Sequence, residues 1–148
     1  MDATLVVIQI LNGLQLGVLL FLLAAGLTLV FGIMDFINLA HGSFYMVGAF
    51  FCATLTLWLD SFLLALLLTL PLTLIVGMVV ELLVVRHLYQ EDHLEQILAT
   101  FGLILVADTL VHIIWGPEGL TFALPEILNG QVIVLPGIRF PVYRILII

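Results

Sequence analysis

The sequence predicts an all-α polytopic membrane protein with about four transmembrane helices and the start of a fifth. Of its 148 residues, 64% are hydrophobic and only 9% are charged, whereas a soluble domain carries roughly a quarter charged residues. Several apolar runs reach the roughly 20 residues that a helix needs to cross a bilayer. A chain of this composition cannot cover a water-facing surface, so we expect a multi-pass membrane protein.

The charge excludes several classes of partner. The net charge is −7, with only three basic residues, Arg86, Arg139 and Arg144. These cations are too few to neutralise a phosphate backbone or an anionic membrane surface, so we expect no nucleic acid partner and no polybasic anchor. The sequence contains no nucleophile with an activating base and no phosphate-binding loop. We therefore expect no enzymatic activity and no cofactor in this chain. We also expect no metal, because the spacing of the candidate ligands in the loop before the fourth helix fits no closed site; these are His87, Glu91, Asp92 and His93.

The first helix is predicted at residues 12–32, after a short lead-in. No charged residue occurs between positions 3 and 34. Gly13 and Gly17 form a GxxxG pair, with Gly26 further along, and small residues at this spacing let two membrane helices approach closely. The same pair also arises by chance in an apolar segment that contains glycine, so helix packing and coincidence both stay open.

The second helix, predicted at residues 36–59, contains the most unusual stretch of the chain. Asn38, His41 and Gly42 interrupt its apolar sequence, and we expect the helix to break near these residues. A simple spanning helix needs none of these residue types, whereas a broken helix that lines a substrate path could use all three. The alternative is that residues 35–42 form an ordinary water-exposed turn.

The third and fourth helices are predicted at residues 62–83 and 94–115. Asp108 and His112 lie inside the fourth helix, one turn apart on one face. A carboxylate within the membrane is costly unless it is paired or faces the bundle interior. The two residues therefore form either a self-contained structural pair or the polar wall of a proton-linked pathway.

The last part of the chain is predicted to leave the membrane. Four of the five prolines fall in the loop at residues 116–141, where we expect a short strand at residues 131–135. Residues 142–148 are apolar again but too few to cross a bilayer. We interpret them as the start of a fifth helix, at which the chain looks cut.

Three motifs carry a family resemblance. Asn-Gly stands at residues 12–13, GLTLVFGI at 26–33 and NLAHGSFYMVGA at 38–49. They resemble the permease subunits of ABC importers for branched-chain amino acids, the LivH type, and the similarity resumes at TFGL, residues 100–103. The resemblance implies that residues 1–148 are the N-terminal part of one permease transmembrane domain in the bacterial inner membrane. It implies that Asn38, His41 and Gly42 line the substrate path.

The resemblance also implies partners and a direction of transport. They are a second permease subunit of the LivM type, two ATP-binding subunits that hydrolyse ATP, and a periplasmic substrate-binding protein. Together they would import branched-chain amino acids or similar small amino acids and amides. The loop at residues 85–95 would be cytoplasmic, but it departs from the family pattern because Arg86 has no proline beside it and acidic residues follow.

Two other classes of function stay open from the residues alone. A secondary transporter or channel could use Asp108 and His112 as a proton relay. A structural membrane subunit would have no transport path, and its residues 38–42 would tolerate substitution.

Overall fold

A computed structural model describes residues 3–120, 130–135 and 138–141 of the chain. Its described part contains four long helices, a short 3-10 turn at Val85–His87 and one two-stranded antiparallel hairpin. The helices and strands are α1 (Ala3–Met34), α2 (His41–Leu59), α3 (Phe62–Leu83), α4 (His93–Trp115), β1 (Gln131–Leu135) and β2 (Ile138–Pro141). The predicted membrane fold is confirmed, and β1 occupies the residues at which a strand is predicted.

All four described helices are long and apolar enough to cross a membrane. Most of their large apolar side chains are exposed on the protein surface, as in Leu63, Leu67 and Ile113. Such a surface is stable against lipid tails, where exposing leucine costs nothing relative to burying it. The side chains buried between helices are instead small, and include Ala53, Ala65 and Thr69.

The chain divides into two compact units. One consists of Leu27–Ala123 and contains the end of α1 together with α2, α3 and α4. The other consists of Met1–Gly26 and Leu124–Ile148. In this second unit the described hairpin pairs Gln131 with Pro141, and its register shifts between Ile133 and Leu135.

Helices α2 and α3 pack closely because small residues line their contact. A Cβ atom added to Gly48 would lie 3.4 Å from Oγ1 of Thr73. The buried hydroxyls of Thr56 and Thr69 donate to the carbonyl four residues earlier in their own helices, each over 2.7 Å. Each buried hydroxyl therefore keeps a hydrogen-bond acceptor within its own helix, and these small side chains allow the backbones of α2 and α3 to approach closely.

Two predicted helix starts are wrong. Helix α1 begins at Ala3 rather than at residue 12, because residues 3–11 contain neither a charge nor a glycine or proline that would stop it. Helix α2 begins at His41 rather than at residue 36, and it continues unbroken through Gly42. The interruption precedes the helix instead of dividing it. The predicted start of a fifth helix, at residues 142–148, lies outside the described residues.

Candidate functional site

The candidate site is built on residues 35–40, which join α1 to α2 and are termed the α1–α2 connection. Asp35 ends α1 with a left-handed backbone (φ 51°), a conformation that aspartate tolerates better than most residues. Its N–H donates to the carbonyl of Phe31 over 2.8 Å. Phe36 then turns inward, is 1% exposed, and packs edge-on against the ring of Tyr89. The connection therefore enters the protein.

Two side chains of α4 bond the backbone of the connection. The N–H of Ile37 donates to Oε1 of Gln96 over 3.0 Å, and the N–H of Leu39 donates to Oγ1 of Thr100 over 3.2 Å. Thr100 lies roughly 10 Å along α4 from its start at His93, at 1.5 Å per residue. Backbone N–H groups inside a protein need hydrogen-bond partners, and Gln96 and Thr100 provide them for the connection.

Every hydrogen-bonding group of the Gln96 amide has a partner. Its Nε2 donates to the carbonyls of Leu88 and Glu91, over 3.2 and 3.1 Å, while Oε1 accepts from Ile37. Carbonyl oxygens only accept and the N–H of Ile37 only donates, so these partners fix which way the amide faces. Gln96 is 2% exposed. It therefore links three segments: the connection, the loop before α4, and α4 itself.

The structure brings the predicted residues Asn38, His41 and Gly42 together at the N-terminus of α2. The N–H of His41 donates to the carbonyl of Asn38 over 3.3 Å. Oδ1 of Asn38 is buried and has no hydrogen-bond partner among the described residues. Gly42 is exposed, and a Cβ there would meet no described atom within 4 Å. A helix N-terminus with open space beside it suits the anionic end of a ligand.

An apolar cavity of about 290 Å³ lies beside this site, between α2, α3 and α4. Ala40 of the connection and Ser43 of the first turn of α2 line one part of it. Aliphatic side chains line most of the rest, including Val47, Val76 and Leu103. The cavity therefore provides an apolar space next to the polar groups at the start of α2.

The loop before α4 lies at the same end of the helices as the connection. Nε2 of His93 is 3.6 Å from Oδ2 of Asp35, and the hydroxyl of Tyr89 donates to Glu81 over 3.3 Å. Partial burial, and then the charge of Glu81, raise the pKa of Tyr89 above its ordinary value of 10.0. Tyr89 therefore stays protonated at neutral pH and remains the donor in this bond.

The other predicted residues lie apart from the connection. Oδ1 of Asp108 is 3.6 Å from Nδ1 of His112, and both side chains are more than half exposed. Asp108 is eight residues beyond Thr100, roughly 12 Å further along α4. Added Cβ atoms at Gly13 and Gly17 of α1 would meet no described atom within 4 Å, so helix packing at these glycines, and at Gly26, stays a prediction.

Gln96 is not among the residues predicted from the sequence to form the site, and Thr100 enters there only as the first residue of the TFGL motif. Both are polar residues near the start of a predicted helix, where polar side chains ordinarily mark the membrane boundary. Their spacing of four places them on one face of α4. The interruption at residues 35–42 contains backbone groups that need hydrogen-bond partners. A pair of polar residues four apart on another helix is the sequence signal that could have identified these partners.

Comparison with known proteins identifies the family. The sequence model described as "Branched-chain amino acid transport system / permease component" matches residues 9–129. This chain belongs to that family. The resemblance found in the sequence is confirmed, and the chain is a multi-pass protein of the bacterial inner membrane.

Individual relatives within the family are moderately similar. The chain is 30% identical over 135 residues to the high-affinity branched-chain amino acid transport system permease protein LivH of Salmonella typhimurium, and 27% identical to LivH of Escherichia coli K12. These matches cover 85% of this chain and 43% of each relative. BraD of Pseudomonas aeruginosa is 48% identical over 42 residues, which are 28% of this chain and 14% of BraD. No solved structure matches the chain.

Proposed function

We propose that this chain forms part of the permease subunit of an ATP-driven importer for branched-chain amino acids or similar small amino acids and amides. The family membership and the names of the LivH and BraD relatives support the transport class and the substrate class. The observation that carries the proposal for this chain is the α1–α2 connection, in which Oδ1 of Asn38 is buried without a described partner and Ala40 lines an apolar cavity.

The site combines the two chemistries that a branched-chain amino acid needs. The apolar cavity accepts an aliphatic side chain without requiring a hydrogen bond. The positive end of the α2 dipole favours a carboxylate nearby, although the N–H groups of His41 and Ser43 already donate to the carbonyls of Asn38 and Ala40. The side-chain oxygen of Asn38 is an acceptor that suits an ammonium group. His41 and Gly42 lie in the same turn, where the missing side chain of Gly42 lets a ligand approach the backbone.

Transport by this subunit would depend on other chains. We infer a second permease subunit of the LivM type, two ATP-binding subunits and a periplasmic substrate-binding protein. The two ATP-binding subunits would hydrolyse the ATP that drives the transport cycle. Alternating access of the helices would then move the substrate, with no bond made or broken in it.

The test is uptake of labelled leucine by the full-length permease with its partner subunits. We expect Asn38→Ala and His41→Ala to reduce uptake at unchanged membrane abundance, and Gly42→Leu to block it. His87→Ala is the matched control, because His87 is exposed in the loop before α4. Normal uptake by both the Asn38 and His41 variants would refute this substrate path.

One alternative is a secondary transporter with a proton relay at Asp108 and His112. Nδ1 of His112 lies 3.6 Å from Oδ1 of Asp108 and 2.8 Å from the backbone carbonyl oxygen of the same residue. That alternative expects uptake driven by a proton gradient without ATPase partners, and its loss in Asp108→Asn. The importer expects vanadate-sensitive uptake that survives collapse of the proton gradient.

A further inference from the structure

We propose that Gln96 is a positioning residue, which holds Asn38 in place and couples it to the loop before α4. This inference deepens the proposed function and rests on it, because it assumes that Asn38 faces the substrate. The claim concerns how the site is held, and neither Gln96 nor Thr100 is assigned a contact with substrate.

The backbone of Asn38 is anchored on both sides. The peptide N–H before it, of Ile37, bonds Gln96, and the N–H after it, of Leu39, bonds Thr100. Both anchors are almost fully buried, at 2% and 0% exposed. The side-chain oxygen of Asn38 itself has no described partner. The anchors therefore fix the backbone on both sides of Asn38, whose buried side-chain oxygen makes no bond to a described residue.

Gln96 also joins this anchored segment to the loop. Its Nε2 donates to the carbonyls of Leu88 and Glu91, which lie on either side of the turn that leads into α4. All three bonds belong to one planar amide group, so a displacement of the loop must either break a bond or move the amide. A moved amide carries the N–H of Ile37, and with it Asn38. A displacement of the loop that keeps the three bonds therefore moves the segment that holds Asn38.

The first measurement is amide hydrogen exchange in the full-length permease complex, which does not depend on transport. Gln96→Leu removes the acceptor of Ile37, and we expect exchange at Ile37 to become about tenfold faster, the equivalent of about 1.4 kcal/mol. Gln90→Leu, a glutamine exposed in the same loop, is the matched control and should leave exchange unchanged. Unchanged exchange at Ile37 in Gln96→Leu would overturn the inference.

The second measurement asks whether Gln96 acts through Asn38. We expect Gln96→Leu to reduce leucine uptake severalfold, and the double variant Gln96→Leu with Asn38→Ala to be no worse than Asn38→Ala alone. A role in general stability predicts losses that multiply in the double variant, and that result would overturn positioning. If Gln96→Leu does not assemble, Thr100→Val replaces it with Leu39 as the exchange probe, and Thr100→Ser should restore both properties.

The two proposals fail in different ways. Suppose that Asn38→Ala shows normal uptake while Gln96→Leu shows faster exchange at Ile37. That result would refute the proposed substrate path but support Gln96 as the anchor of the segment. Impaired uptake by Asn38→Ala, together with unchanged exchange at Ile37, would leave the substrate path standing and overturn the role of Gln96.

Discussion

The hydroxyl of Thr100 makes the most sharply testable contribution to stability. It is fully buried, accepts from the N–H of Leu39 over 3.2 Å and donates to the carbonyl of Gln96 over 2.7 Å. Valine at this position keeps the shape of the side chain and removes both bonds. The carbonyl of Gln96 keeps its helical partner, so the N–H of Leu39, whose bond to Thr100 is part-buried, is the group left without an acceptor.

An unsatisfied buried N–H costs about 1–3 kcal/mol. We therefore expect Thr100→Val to lower the free energy of unfolding by about 1 kcal/mol, the lower end of that range, because the lost bond to Leu39 is part-buried. The assay is reversible denaturation of the purified full-length protein in detergent micelles, followed by helical circular dichroism. Thr100→Ser, which keeps the hydroxyl and loses one methyl group, should lose about 0.8 kcal/mol from reduced burial.

Thr109 offers a matched control on the same helix. Its hydroxyl donates to the carbonyl of Leu105 over 2.7 Å, the same bond within the helix, but the residue is exposed. We expect Thr109→Val to change stability by less than about 0.5 kcal/mol. Equal losses in the two valine variants, or no loss in Thr100→Val, would refute the role of Thr100 as an anchor of the α1–α2 connection.

Three further predictions concern packing and charge. Gly48→Ala should be tolerated, because its Cβ would lie 3.4 Å from Oγ1 of Thr73, an ordinary van der Waals contact. Gly48→Leu should overpack α2 against α3 and lower the free energy of unfolding by about 1–3 kcal/mol in the same assay. A double-mutant cycle on Trp115→Phe and Thr54→Val should give a coupling of about 0.5–1.5 kcal/mol, since Nε1 of Trp115 donates to Oγ1 of Thr54 over 2.7 Å; additive losses would contradict that bond. Burial, and then the nearby carboxylate of Glu81, raise the pKa of Tyr89 above 10.0. The hydrogen bond from Tyr89 to Glu81 should therefore persist below pH 10 and be lost as the pH rises through the raised pKa. Phenolate absorbance, compared between the protein and Tyr89→Phe, measures this ionisation, and a pKa at or below the ordinary value would contradict the prediction.

The sequence determined the class of the protein and most of its helices. The length of an uncharged apolar run decides whether a segment can span a bilayer, whatever it packs against. For this reason α3 has the predicted bounds and α4 begins one residue before the predicted start. The same criterion also places the start of α1 at Ala3, where the uncharged run begins. The prediction of residue 12 was wrong because it set residues 3–11 aside as a lead-in, the full run being longer than the roughly 20 residues that one crossing needs.

The sequence also pointed to Asn38, His41 and Gly42, because polar and small residues are conspicuous in an apolar run. Only the tertiary structure decided what holds them. The N–H groups of Ile37 and Leu39 bond side chains 59 and 61 positions away, and no local pattern specifies a partner at that distance. Backbone that leaves a helix within a membrane must be satisfied by another part of the protein, so the start of α2 depends on how α4 packs beside it.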